Sequence, residues 1–283
     1  MDFHTAPLPP LFISHGSPMT ALEPREAGAF MQRLGPALVS AFGRPRAILA
    51  LSAHTLARQP TLLAALQHQA VYDFGGFPAA LSALRYDAPG APELATQVQA
   101  LLEGAGLPVQ RAEAGGLDHG IWTPLRYMFP DADIPVLPLA WVPSWTPAQL
   151  VALGAALAPL AAQGVLIVGT GSVTHNLRLV YAGGQPPVDA PEIAESAQFR
   201  AWVQAQAAAP DWPALHDYCA RAPHAALMHP TDEHWLPFYP AAGAGGSGHP
   251  GLRLHDSITY GCLGMDSYAF GAEAPRLLRA LAG

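Results

Sequence analysis

Short apolar runs of strand length alternate along the chain with longer stretches in which apolar residues recur at helical spacing. LFIS (11–14) is the first run, and RAILALSAH (46–54), IPVLPLAW (134–141) and VLIVGTGS (165–172) follow it. Continuous apolar runs of this length predict strands buried on both faces. TLLAAL (61–66) and LPVQ (107–110) predict two shorter strands, and SITYGCLGM (257–265) a late one. Phe30, Leu34, Leu38 and Phe42 fall four apart and predict a helix over 22–42, closed by Gly43 and Pro45. Further helices are expected over 92–103, 147–162 (ended by Gly164), 192–208 and 273–282. In TPLRYMF (123–129), Thr123 takes the place of an N-cap and Pro124 that of the first helical residue. Pro138 lacks an amide, so its strand reads as an edge strand or as ending there. VGTGS reads as a glycine loop after its strand, and AGAGGSGHPG (242–251) as a mobile loop.

This alternation predicts an α/β fold with a mostly parallel central sheet and helices on both faces. No linker divides the 283 residues, so a single domain over 1–283 is expected, with 1–9 as an N-terminal tail. In open α/β sheets, ligands bind outside the carboxyl ends of the strands.

Composition narrows the function. The net charge of -7 argues against nucleic acid or an anionic membrane as partner. The opening MDFHTAPLPP has no basic and apolar signal regions, and no apolar run reaches ~18 residues, so a soluble cytoplasmic protein is expected. Cys219 and Cys262 form neither a disulfide framework nor a thiolate cluster. All 14 basic residues are arginine, which excludes Schiff-base lysines and the P-loop lysine. There is no GxSxG elbow and no HExxH helix, and GTGS after its strand could cradle a phosphate but lacks the full GxGxxG spacing. Nothing here sets an oligomeric state.

The candidate chemistry lies in histidines. LFIS ends at His15, ILALSA at His54, and VLIVGTGSVT runs into His175, so three strands deliver imidazoles to one sheet edge. His119 lies in GLDHGIW and His234 in HPTDEHW. His234 is preferred over His229 because an acid precedes it and Trp235 follows. His4, His68, His216, His224, His249 and His255 sit in polar or irregular segments. Neutral imidazole is the commonest protein metal ligand, and three ligands with an open position make a catalytic metal site. YDFGGFP (72–78) reads either as a plain loop or as the wall of an aromatic pocket.

FISHGSP, LSAH, YDFGGFP, GLDHGIW, VGTGSVTHNLR and HPTDEHWLP, in this order over about 11–265, resemble the class III extradiol ring-cleavage dioxygenases, in their DOPA-4,5-dioxygenase-like (LigB-type) branch. The resemblance implies one divalent metal per chain, Fe(II) or Zn(II), held by His15, His54 and His234. It makes His175 a fourth ligand or an acid/base, and His119 the other pocket histidine, placed to hydrogen-bond bound oxygen. Many extradiol enzymes use a carboxylate as third ligand; here that position reads as His234, with Glu233 beside it. The expected partners are a small aromatic diol and O2. Phe74, Phe77 and Trp122 are candidate ring-stacking walls, and Arg178 is the candidate for gripping a substrate carboxylate, or else a surface arginine starting a helix. A zinc hydrolase using the same histidines, or a non-catalytic metal-binding protein on the same fold, are the alternatives.

Overall fold

A computed structural model describes residues 6–181 and 184–283. His4 and the rest of 1–5 lie outside the described residues. The remainder of the expected tail is anchored: Leu8 is buried and its amide donates to Ala161 O at 3.1 Å.

The central sheet has eight strands. In chain order they are β1 (Leu11–Ser14), β2 (Ala47–Ser52), β3 (Thr61–Leu63), β4 (Gln110–Ala112), β5 (Val136–Ala140), β6 (Val165–Gly171), β7 (Leu252–His255) and β8 (Ser267–Ala269). Across the sheet the order is β4-β3-β5-β2-β6-β1-β8-β7. The central pairs β5–β2, β2–β6 and β6–β1 are parallel, as is β3–β4, while β8 and β7 add antiparallel strands at one side. The principal helices are α1 (Arg25–Phe42), α2 (Pro92–Gly104), α3 (His119–Met128), α4 (Pro147–Leu157), α5 (Leu177–Tyr181), α6 (Ala194–Ala208), α7 (Phe238–Gly245) and α8 (Ala274–Ala282).

Both faces of the central sheet are covered, so β1, β2, β5 and β6 are buried at every position rather than alternating. Leu11, Ile13, Ile48, Ala50, Leu166 and Val168 pack on the α1, α3 and α8 side. Phe12, Leu49, Leu51 and Ile167 pack on the opposite side, against α2, α4, α6 and α7.

Five expectations are corrected. Pro138 sits in an interior strand: β3 pairs with β5 only at Leu139 and Ala140, so the missing amide falls beside the ladder rather than within it. LPVQ is displaced, and the strand begins at Gln110 and runs to Ala112. The segment 242–251 is not a loop at its start, because α7 runs to Gly245 and packs on α4; a Cβ on Gly243 would lie 2.2 Å from Val151 O. The segment 257–265 is a small hairpin, Ile258–Thr259 against Leu263–Gly264. Finally, α3 starts at His119, not Thr123. Asp118 is its N-cap, accepting from Gly120 N at 2.8 Å, and Pro124 lies inside the helix.

Candidate metal and substrate site

The parallel strands end along one edge, and their histidines meet there. His15 follows β1 directly, and His54 follows β2 by two residues. His119 is the first residue of α3, and its amide donates to Asp73 Oδ1 at 3.1 Å. His175 hangs in the loop after β6, its amide bonded to Met228 O at 3.0 Å. His234 is brought in by close backbone contact: Ser172 N donates to His234 O at 2.8 Å. A Cβ on Gly171 would lie 1.9 Å from that same oxygen, so only glycine fits. The GTG of this segment is therefore strand, not loop, and its glycines serve backbone approach rather than a phosphate cradle.

Ring centroids of His15 lie 5.2 Å from His54, 5.2 Å from His119 and 5.5 Å from His234. Those of His54 lie 4.2 Å from His119 and 4.9 Å from His234, and His175 stacks on His234 at 3.5 Å. The donor atoms of His15, His54 and His119 lie within 4.8 Å of one another, and so do those of His175, Glu233 and His234.

Hydrogen-bond partners assign the tautomers. Thr170 Oγ1 donates to Gly120 O at 2.7 Å, so towards His15 Nδ1, 2.9 Å away, it can only accept. His15 Nδ1 therefore carries the proton and its Nε2 a lone pair. Gly120 O is free for this bond because its usual helical donor, four residues on, is Pro124. His119 Nδ1 donates to Asp73 Oδ1 at 2.9 Å, and His54 Nδ1 faces Asp73 Oδ2 at 3.5 Å. His234 Nδ1 donates to Glu233 Oε1 at 3.0 Å. His15 thus turns its Nε2 lone pair towards His54 Nε2 across 3.2 Å. When His54 carries its proton on Nδ1, towards Asp73, both Nε2 atoms are free to share a cation. The donor set thus fits a divalent metal, with carboxylates behind His54 and His234 as imidazole ligands usually have.

Burial holds His15, His54, His175 and His234 in the neutral form, the one that ligates. Burial, then the neighbouring His54, His119, His234 and His175, push His15 well below its ordinary pKa. Burial takes His175 down to about 4, and takes His234 down to about 3 against the opposing pull of Glu233. The His234 hydrogen bond holds Glu233 down at about 2.

A cavity of 430 Å³ opens over these rings. His15, His54, His119, His175 and His234 all line it, as do Phe74 and Phe77. Phe74 stands edge-on to Phe77 and to His119, each at 5.6 Å. Two candidate walls are not there. Trp122 is fully buried and outside the cavity lining, its Nε1 donating to Val71 O at 3.1 Å. Arg178 is exposed on α5 and outside the cavity lining, whereas Leu177 and Tyr181, one residue before and three after, do line it.

Sequence reasoning did not find Asp73, Thr170 or Asp118. Asp118 accepts from Ser52 Oγ at 2.7 Å and from Thr55 Oγ1, clamping the residues around His54 to the start of α3. A signal existed for two of them: Asp73 lies in YDFGGFP, and Asp118 directly precedes His119. Ser17, Pro18, Ser172 and Leu263 also line the cavity without having been singled out.

Residues 9–271 match the family described as the catalytic LigB subunit of aromatic ring-opening dioxygenase. A 4,5-DOPA dioxygenase extradiol of Beta vulgaris is 38% identical over 92% of this chain and 95% of its own. One from Escherichia coli K12 is 36% identical over 93% and 95%. The crystal structure of an uncharacterized Escherichia coli K12 protein superposes with a TM-score of 0.74 at 30% identity, covering 93% of this chain and all of that one. The chain belongs to the LigB family, and is an extradiol ring-cleavage dioxygenase. Among the described residues no helix is long and apolar enough to cross a membrane.

Proposed function

We propose that the protein opens the ring of a single-ring catechol beside the diol with O2, giving a semialdehyde, with one Fe(II) held by His15, His54 and His234. The observation that carries this reading is the convergence of imidazole nitrogens, above all the 3.2 Å between His15 Nε2 and His54 Nε2. His234 is taken as third ligand because the family resemblance places it there; His119, whose ring lies 5.2 and 4.2 Å from the other two and whose Nδ1 is held by Asp73, is its rival for that position. This assignment leaves His119 and His175 for proton work.

A divalent metal held by His15, His54 and His234 would supply a Lewis acid that lowers the pKa of the diol and a centre for O2 chemistry. His175, kept neutral by burial, accepts the second hydroxyl proton and later returns it. His119, oriented by Asp73, turns its Nε2 to the reacting oxygens. Phe74 and Phe77 flank the flat ring and keep water from it.

The test is anaerobic loading with Fe(II) or Zn(II), then an oxygen electrode and product spectra over a panel of catechols. O2 uptake with a ring-opened product is expected with Fe(II), and less with Zn(II). No uptake with any catechol returns the site to a zinc hydrolase or a metal-binding protein. Metal analysis tests the ligand set: His234→Ala should lose the metal and His119→Gln should keep it. The reverse pattern makes His119 the third ligand.

A further inference from the structure

A second cavity of 420 Å³ adjoins the one over the histidines. The two share Ser17, Gly75, Phe77 and Tyr181, so these residues form a common mouth. Beyond it lie Met19, Gln185 and Tyr260. A cavity of about 150 Å³ already holds a benzene ring. The 430 Å³ over the histidines is therefore ample for a catechol, and the second cavity is space that the reacting ring does not need. No arginine, aspartate or glutamate lines either cavity among the described residues.

Tyr260 reaches this place at a conformational cost. It is at φ +53° and the following Gly261 at φ +68°. Cys262 N donates to Thr259 O at 3.3 Å, closing a turn whose two central residues both need positive φ. Gly, Asn and Asp suit such positions; a bulky aromatic residue is an outlier there. The turn is held by Tyr260 N donating to Val188 O at 2.9 Å, and Gln185 meets the phenol. Strain kept at one residue that walls a cavity is a reason to look for function there.

We infer that the second cavity is a subsite for an uncharged, preferably aromatic, substituent of the substrate, and that Tyr260 is its specificity-determining residue. The inference rests on the ring-cleavage reading for the placement of the catechol. The walls are apolar or neutral: Phe77, Tyr181 and Tyr260 offer ring faces, Met19 a polarisable thioether, and Gln185 a neutral hydrogen-bonding group. A carboxylate in the same place would lose water and find no cation among the lining residues.

The experiment measures kcat/KM of the Fe(II)-loaded full chain for 4-methylcatechol, 4-phenylcatechol and 3-(3,4-dihydroxyphenyl)propanoate. The phenyl compound should exceed the methyl compound by about 10-fold, as an added aromatic contact allows, and the propanoate should be the poorest. Tyr260→Asn should lower the phenyl-to-methyl ratio by about 10-fold. Its unfolding midpoint should not fall, because asparagine suits the positive φ. Tyr260→Phe should keep the ratio. An unchanged ratio in Tyr260→Asn, or a preference for the propanoate, overturns the subsite. Calorimetry with 4-phenylphenol, which has no diol to cleave, separates the two readings. If no catechol is cleaved but Tyr260→Asn still weakens 4-phenylphenol binding, the subsite stands and the ring-cleavage reading falls. Equal binding in wild type and variant removes the subsite.

Discussion

Replacing Thr170 with valine tests the tautomer argument at its centre. Thr170 is fully buried on β6, and valine has nearly its shape, so the change opens no cavity. Two groups lose their partner: His15 Nδ1–H and Gly120 O, which the hydroxyl now meets at 2.9 and 2.7 Å. An orphaned buried polar group costs about 1–3 kcal/mol, so with two of them the metal-free protein should lose about 2–6 kcal/mol. Stability alone would not single out a metal ligand. The sharper consequence is that His15 is no longer obliged to protonate Nδ1, and the competing tautomer places a proton where the metal would bind. Losing a group that orients a ligand costs about 10–100-fold in metal affinity, or about 1.4–2.7 kcal/mol. The assay is competition with a chromophoric chelator, run beside urea denaturation of the metal-free protein. Thr170→Ser restores the hydroxyl and should recover most of both losses. A Thr170→Val protein that is less stable yet binds metal within about twofold of wild type refutes the tautomer argument, since the expected loss is at least tenfold.

Three further outcomes follow from the same geometry. His15, His175, His229 and His234 all have pKa values pushed down, in each case chiefly by burial. The unfolded chain therefore takes up protons first, and the stability of the metal-free protein should fall as pH drops below ~6.5, by up to about 1.4 kcal/mol per pH unit per histidine, until the folded values near 4 and 3 are passed. Denaturation midpoints at pH 7.5, 6 and 5 check this, and a flat profile would contradict it. Gly171→Ala should cost about 3 kcal/mol or more and strip the metal, because its Cβ would lie 1.9 Å from His234 O; full metal content in this variant would show that the close approach does not position His234. Arg178→Ala should leave kcat/KM within about twofold for neutral and carboxylated catechols alike, as expected of a surface site, and a selective loss with carboxylates would bring it back to the pocket.

The histidine constellation was legible because its signal is a boundary. An apolar run that stops at a histidine needs no tertiary knowledge: the parallel sheet carries each strand end to the same edge, and His15 and His54 arrive there as expected. His119 and His234 come from a helix start and a turn, and only the resemblance placed them. What the sequence hid is the set of residues that hold the imidazoles. Asp73 and Asp118 are ordinary loop acids by composition, and Thr170 is one hydroxyl inside a buried strand. None has a periodicity to betray it, because its partner lies 46, 66 or 155 residues away.

The misread punctuation has the same origin. Glycine and proline read locally as breaks, yet here both allow contact. Gly171 and Gly243 admit a neighbouring backbone, and Pro138 tolerates an interior strand because its pairing there is one-sided. Pro124 is the most telling case. Read locally, Thr123-Pro124 is a helix start; in the fold it sits well inside α3, where proline removes a helical hydrogen bond. That removal leaves Gly120 O free, Gly120 O takes the Thr170 proton, and Thr170 must then accept from His15. A defect in the helix ladder thus decides which nitrogen of His15 faces the metal position. Restoring an amide at 124 would put Thr170 in competition for Gly120 O, and the orientation of His15 would lose its constraint without any change to a residue that touches the metal.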